Sequence, residues 1–132
     1  MTDVLLGIDL DTERALAQAE AVVDLFDPAD LHAYLLHDFV DNPEGASVAQ
    51  VGSVQRAQDV LEDAGVSVEL REESGDPAAS ISRTAEELDV DAVVVAGRKR
   101  SPAGKVLFGS VSQEVILSVD RPVLVCGTDD AA

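Results

Sequence analysis

The residues best suited to chemistry lie in one stretch, Gly97 to Ser112, GRKRSPAGKVLFGSVS. It holds four of the nine basic residues, Arg98, Lys99, Arg100 and Lys105, in a chain of formal net charge -17. Before it, Asp91 to Ala96 reads as a buried strand; after it, Val111 to Val119 reads as an amphipathic helix. A glycine-bearing connection from a strand end to a helix start offers unpaired backbone N–H groups and the positive end of the helix dipole, which suits an anion. Gly109 permits close backbone approach and Ser110 can donate to a phosphate oxygen. The stretch therefore reads as an anion or nucleotide site. The competing reading is a solvated connector whose bases pair with nearby acids. Lys105 is followed by Val106, which has no hydroxyl for a metal, so Walker-type ATPase chemistry is not expected.

The other candidates carry less. Asp9 ends the first apolar run and can either accept from a ribose or base edge or cap the helix that follows. His32 and His37 stand five apart on a strand, so they face opposite sides and form no metal pair; both read as structural. Cys126 reads as a small buried apolar residue. Asp76, Glu86 and Glu87 read as caps and solvated helix faces. No nucleophile, base and metal-ligand cluster comes together, so an enzyme is not the expected class.

Alternating elements must position these residues. Val4 to Ile8 reads as a strand buried on both faces, and Asp11 or Thr12 caps a helix ending near Asp27-Pro28. Leu31 to Val40 reads as the second strand, Asp41 to Gly45 as a loop, and Ser47 as the cap of a helix running to Ala64. Gly65 fits the left-handed position after that helix. Val66, Val68 and Leu70 alternate with polar residues, as in a half-exposed edge strand. Asp76-Pro77 is a cap followed by a residue suited to a helix's first position. Val123 to Cys126 is the last strand, followed by a polar tail from Gly127. Five strands alternating with four helices predict an α/β domain over 1–132: a parallel sheet, right-handed crossovers and helices on both faces. Ligands in such sheets bind beyond the strands' carboxyl ends, where the strand order reverses. If the first and fourth strands are neighbours, Asp9 and the basic stretch share one crevice.

Composition bounds the environment. Acids number 26 against nine bases, with two lysines, so the surface repels nucleic acid and anionic membranes outside the one basic stretch. Such a charge strains the fold at low salt and is screened at high salt, with a Debye length of about 3 Å at 1 M. A salt-filled, halophilic cytoplasm is the expected setting. A single cysteine suits a reducing compartment, and no secretory leader or spanning segment is apparent.

In order, VLLGID, LLHDFVD, GDPAASI, DAVVVAGR, GSVSQEVI and RPVLV make the chain resemble the universal stress protein family over essentially its full length. The family's nucleotide-binding loop has G-x-x-G, a nine-residue spacer, then G-S or G-T. Gly97 matches the first glycine and Gly109-Ser110 the last pair; Arg100 stands at the middle glycine, and the spacer is one residue short. The resemblance implies a flavodoxin-like, adenine nucleotide alpha hydrolase-like five-stranded sheet of order 3-2-1-4-5. It also implies a cytoplasmic stress-response homodimer paired through the last strand, here Pro122, Val123, Leu124, Val125 and Cys126. Its ligand would be ATP or another adenine nucleotide, with Mg. By the same resemblance Asp9 contacts the nucleoside and the main chain near Asp38 the base. Ser110, Val111 and Ser112 hold phosphates, and Gly97, Arg98, Lys99, Arg100, Lys105 and Gly109 form the loop. Arg100 puts a bulky cation where bare backbone meets phosphate, so weak binding is implied. The alternatives are a nucleotide-free module for an unknown protein partner and, behind it, a nucleotide hydrolase or adenylyl-transfer enzyme.

Overall fold

The computed structural model describes residues 1–39, 47–99, 106–107 and 110–129. In chain order the elements are β1 (Thr2–Gly7), α1 (Thr12–Leu25), β2 (Leu31–Phe39), α2 (Gly52–Asp63), β3 (Ser67–Ser74), α3 (Pro77–Leu88), β4 (Ala92–Lys99), β5 (Val106–Leu107), α4 (Ser110–Ser118) and β6 (Val123–Asp129). Five strands run parallel in the order β3-β2-β1-β4-β6, which is the expected 3-2-1-4-5 once the two-residue β5 is set aside.

The side-chain period of two divides each central strand between two cores. Val4 and Leu6 of β1, Ala33 and Leu35 of β2, and Val94 of β4 join α1 and α2 residues such as Ala19, Val22, Val54 and Leu61 in one cluster. Leu5, Leu36, Val93 and Val95 face the other way and pack with Ala78, Ile81 and Ala85 of α3 and Val115 of α4. The helices thus cover both faces in pairs.

Local chemistry sets most boundaries. Asp11 accepts from Arg14 N at the start of α1, and Asp76 accepts from Ala79 N at the start of α3, with Pro77 in the first turn. Gly65 follows α2 at φ 95°, a left-handed position that glycine takes without a Cβ clash.

The structure corrects four expectations. Ser47 does not cap a helix reaching Ala64: it brackets the 3-10 turn Val48–Gln50 through Gln50, and α2 begins separately at Gly52. Gly127, Thr128 and Asp129 are not tail but the end of β6, because Gly97, Arg98 and Lys99 of β4 continue the ladder beside them. For the same reason the stretch from Gly97 is not a loop throughout. Finally, β5 is an added strand, antiparallel to Arg98 and Lys99. Since β6 already takes one edge of these two residues, β5 lies on the other, along which β1 pairs with Ala92–Val94. The loop expected at 41–45 lies outside the described residues.

Candidate functional site

A cleft of about 1090 Å³ opens at the carboxyl ends of β1, β2 and β4. Gly7–Asp9, Leu36–Phe39 and Val95–Ala96 form its floor. Its walls are the amino ends of the helices: Leu10, Asp11, Arg14 and Gln18 around α1, Gln50 to Gly52 at α2, Pro77 and Ile81 at α3, and Val111 and Ser112 at α4. The cleft exists because neighbouring β1 and β4 send their connections in opposite directions, β1 through α1 to β2 and β4 through α4 to β6, so the chain diverges between them.

Asp9 sits at the mouth, and both of its carboxylate oxygens are engaged. Oδ1 accepts from Asp11 N at 2.9 Å, and Oδ2 accepts from Arg14 Nη1 at 2.9 Å. Asp11, not Asp9, is the cap of α1. Asp9 is half exposed (51%) and Arg14 mostly covered (17%), so the guanidinium lies beneath the carboxylate and fixes its direction. Ser53 Oγ donates to the Asp9 carbonyl at 2.5 Å and ties the start of α2 to this turn.

At the β2 end, His37 is buried and its Nδ1 lies 2.8 Å from the Ile8 carbonyl, with Phe39 edge-on to its ring. His32 meets Ser67 Oγ at 3.0 Å on β3, away from the cleft. Asp38 Oδ2 accepts from Ser80 Oγ of α3 at 2.5 Å, while Oδ1 is shielded from solvent and has no hydrogen-bond partner.

At the β4 end, Ser112 Oγ donates to the Ala96 carbonyl at 2.9 Å, which docks α4 on the strand and commits that proton. The backbone N–H groups of the first turn of α4 remain the groups suited to an anion. Val51 precedes α2 without a side-chain cap, so the first N–H groups of that helix are likewise uncapped.

Of the residues singled out in the sequence, Asp9, Asp38, Val111 and Ser112 line one cleft. Ser110 is the first residue of α4. Gly97 is buried in β4, next to the cleft-lining Ala96. Arg98 and Lys99 are its last residues. Arg100, Lys105 and Gly109 lie outside the described residues. Among the expected interface residues, Pro122 is exposed, Val123, Leu124 and Val125 are half-buried, and Cys126 is buried on β6.

Sequence reading missed Arg14, Gln18, Ser53 and Ser80. Gln18 had a legible signal: it falls on the apolar stripe of α1, between Ala15 and Val22, where a polar residue needs a buried partner. Among the described residues there is no cluster of three metal-ligating side chains, and no helix is long and apolar enough to cross a membrane.

The comparisons with known proteins agree with this geometry. The family model described as universal stress protein family matches residues 1–127. A universal stress protein of Mycolicibacterium smegmatis is 38% identical over 80 residues, 60% of this chain. The match spans 62% of that relative's own length. Among solved structures, the universal stress protein of Archaeoglobus fulgidus superposes with a TM-score of 0.78 at 24% identity, covering 96% of this chain and 98% of that one. A universal stress family protein of Arabidopsis thaliana, solved with AMP bound, gives a TM-score of 0.74 at 19% identity, covering 98% of this chain and 94% of that one. Fold, strand order and family match coincide: the chain belongs to the universal stress protein family.

Proposed function

We propose that this chain is a stress-response protein that binds an adenine nucleotide weakly in the cleft and does no chemistry on it. The observation that carries the reading is the cleft itself: a large concavity at the sheet's switch point, ringed by four helix amino ends. Asp9 is an acceptor at its mouth for ribose hydroxyls, since each carboxylate oxygen keeps a lone pair after its present bond. The bound AMP of the Arabidopsis relative supports the same ligand class. The phosphate end would lie toward the amino end of α4 and the carboxyl end of β4, where Arg98 and Lys99 stand. Magnesium would arrive with the phosphates.

We place the protein in the cytoplasm as a homodimer. Support comes from β6, whose outer edge carries no strand among the described residues, and from Ile116 and Leu117, exposed on the neighbouring α4. Light scattering on the purified chain tests this, and a monomer at micromolar concentration would refute it.

A second reading, a nucleotide-free interaction module, draws on one observation. The described cleft walls hold three carboxylates, Asp9, Asp11 and Asp38, against one guanidinium, Arg14, which already pairs with Asp9. The deciding experiment is to purify the protein in high salt, denature it and assay the supernatant for nucleotide, then titrate AMP and ATP with magnesium by calorimetry. Released nucleotide, or millimolar-range binding that Asp9→Ala weakens about tenfold, supports the first reading. No nucleotide and no heat supports the second.

A further inference from the structure

The backbone of β4 limits how many phosphates the cleft can hold. Val93 N donates to the Pro122 carbonyl at 2.9 Å. Backbone groups point to alternate edges along a strand, so Val93, Val95, Gly97 and Lys99 face β6, whose ladder runs as far as Lys99. Val94, Ala96 and Arg98 face the other edge. There β1 pairs as far as Val94, and β5 begins opposite Arg98. Ala96 lies between the two, and its carbonyl accepts from Ser112 Oγ at 2.9 Å. Gly97, Arg98 and Lys99 are therefore held as strand. A site for two or three phosphates needs a run of unpaired N–H groups in the loop ahead of a helix. Along β4 there is no such run. The first turn of α4 remains, and a helix start suits one phosphate.

Charge points the same way. The described cleft walls carry Asp9, Asp11 and Asp38, and Arg14 is already paired with Asp9. A terminal monophosphate brings close to two negative charges to the helix start. The same phosphate inside a triphosphate brings one, and its outer phosphates meet only paired backbone along β4.

We propose that the cleft is a nucleoside monophosphate site, which selects a single terminal phosphate over a di- or triphosphate chain. This rests on the nucleotide reading above and deepens it: the pairing of β4 with β5 and β6 sets the ligand class. Arg98 faces β5, so Arg98 and Leu107 are the pair that exchanges both backbone bonds. Leu107→Pro removes one of them and frees the end of β4.

The test is calorimetric titration of adenosine, AMP, ADP and ATP, with and without magnesium, on the wild type and Leu107→Pro. Potassium chloride at about 1 M screens the general attraction of the basic residues for any anion. The wild type should bind AMP about tenfold more tightly than adenosine, which lacks the phosphate, and about tenfold more tightly than ADP or ATP. In Leu107→Pro the gap between AMP and ATP should narrow to about threefold or less, with adenosine unchanged. ATP binding as tightly as AMP in the wild type overturns the proposal and leaves the nucleotide reading standing. AMP binding no better than adenosine overturns it too, as does a full gap in folded Leu107→Pro. Should that variant fail to fold, the wild-type series decides alone. If none of the four ligands binds the wild type, the nucleotide reading falls and takes the proposal with it.

Discussion

Gln18 bridges β1 and β4 by donating from Nε2 to the Val94 carbonyl at 3.1 Å while also donating to the Gly7 carbonyl at 2.9 Å. The side chain is almost wholly buried, at 1% exposure. It stands where the register between β1 and β4, Val4↔Ala92 to Leu6↔Val94, runs out and the strands part to make the cleft. An amide is the right group because its two N–H hydrogens can reach both carbonyls at once.

Replacing that amide with a side chain of similar size should expose its role. Gln18→Leu removes a donor from each carbonyl, and the expected loss is about 2 kcal/mol of unfolding free energy. Urea denaturation reads this as a lower midpoint at unchanged slope. A loss under about 0.5 kcal/mol would mean that water replaces the amide without cost.

Gly7 shows a second constraint at the same strand end. A Cβ there would lie 2.7 Å from Ile81 Cδ1 and 3.3 Å from Ile81 Cγ1, so any side chain at Gly7 requires Ile81 to give way. Gly7→Ala should cost roughly 1–3 kcal/mol by overpacking. Ile81→Val removes the obstructing Cδ1, so the double variant should be less destabilised than the sum of the singles, by about 1 kcal/mol. Strict additivity in that cycle would place the strain elsewhere.

The parts of the molecule that were readable in the sequence are those set by local rules. Val4-Leu5-Leu6 and Val93-Val94-Val95 can only be buried strands, and Asp76-Pro77 and Gly65 mark their helix boundaries by backbone chemistry confined to a few residues. The parallel sheet followed from alternation, and its strand order from the family resemblance. What stayed hidden depends on partners far along the chain. Gly127 and Asp129 have poor strand propensity, yet with Thr128 they are extended because β4 pairs with them. Arg98 and Lys99 look like loop residues until β5 and β6 flank them. Ser80 meets Asp38 across 42 positions, and Gln18 meets Val94 across 76, so local spacing names neither partner. Asp38 itself was placed by its main chain, whereas its side chain carries the unpaired acceptor.

Alkaline pH should loosen the fold. Burial raises the Cys126 thiol from 9.0 to about 11, and burial, helped by Asp3 and Glu69, also raises the Tyr34 hydroxyl above its usual 10.0. Both groups hold their protons more tightly folded than unfolded. Their contribution is therefore complete below pH 9.0 and declines as pH rises toward about 11. Thermal melting from pH 8 to 11 should show a falling midpoint over about that range. Cys126→Ala should flatten part of the fall, and Cys126 should resist alkylation in the native protein at neutral pH while reacting in urea.

Salt addresses the charge that dominates the composition. With 26 acids against nine bases, the folded chain holds its carboxylates closer together than the unfolded chain does, and the repulsion opposes folding. The described ion pairs relieve little of it. Arg121 meets Asp89 at 3.1 Å and Asp120 at 3.4 Å, and Arg71 meets Glu69 at 3.2 Å, all involving exposed carboxylates of small individual worth. Raising potassium chloride from about 0.1 M to 1 M shortens the screening length from about 10 Å to 3 Å, below the spacing of most surface charges. The melting midpoint should therefore rise by several degrees over that range. Most of the rise should come from screening, so potassium chloride and sodium chloride should act alike at equal ionic strength. A midpoint that is flat or falls with salt would show that the acidic surface does not limit stability, and the halophilic setting inferred from it would go with that result.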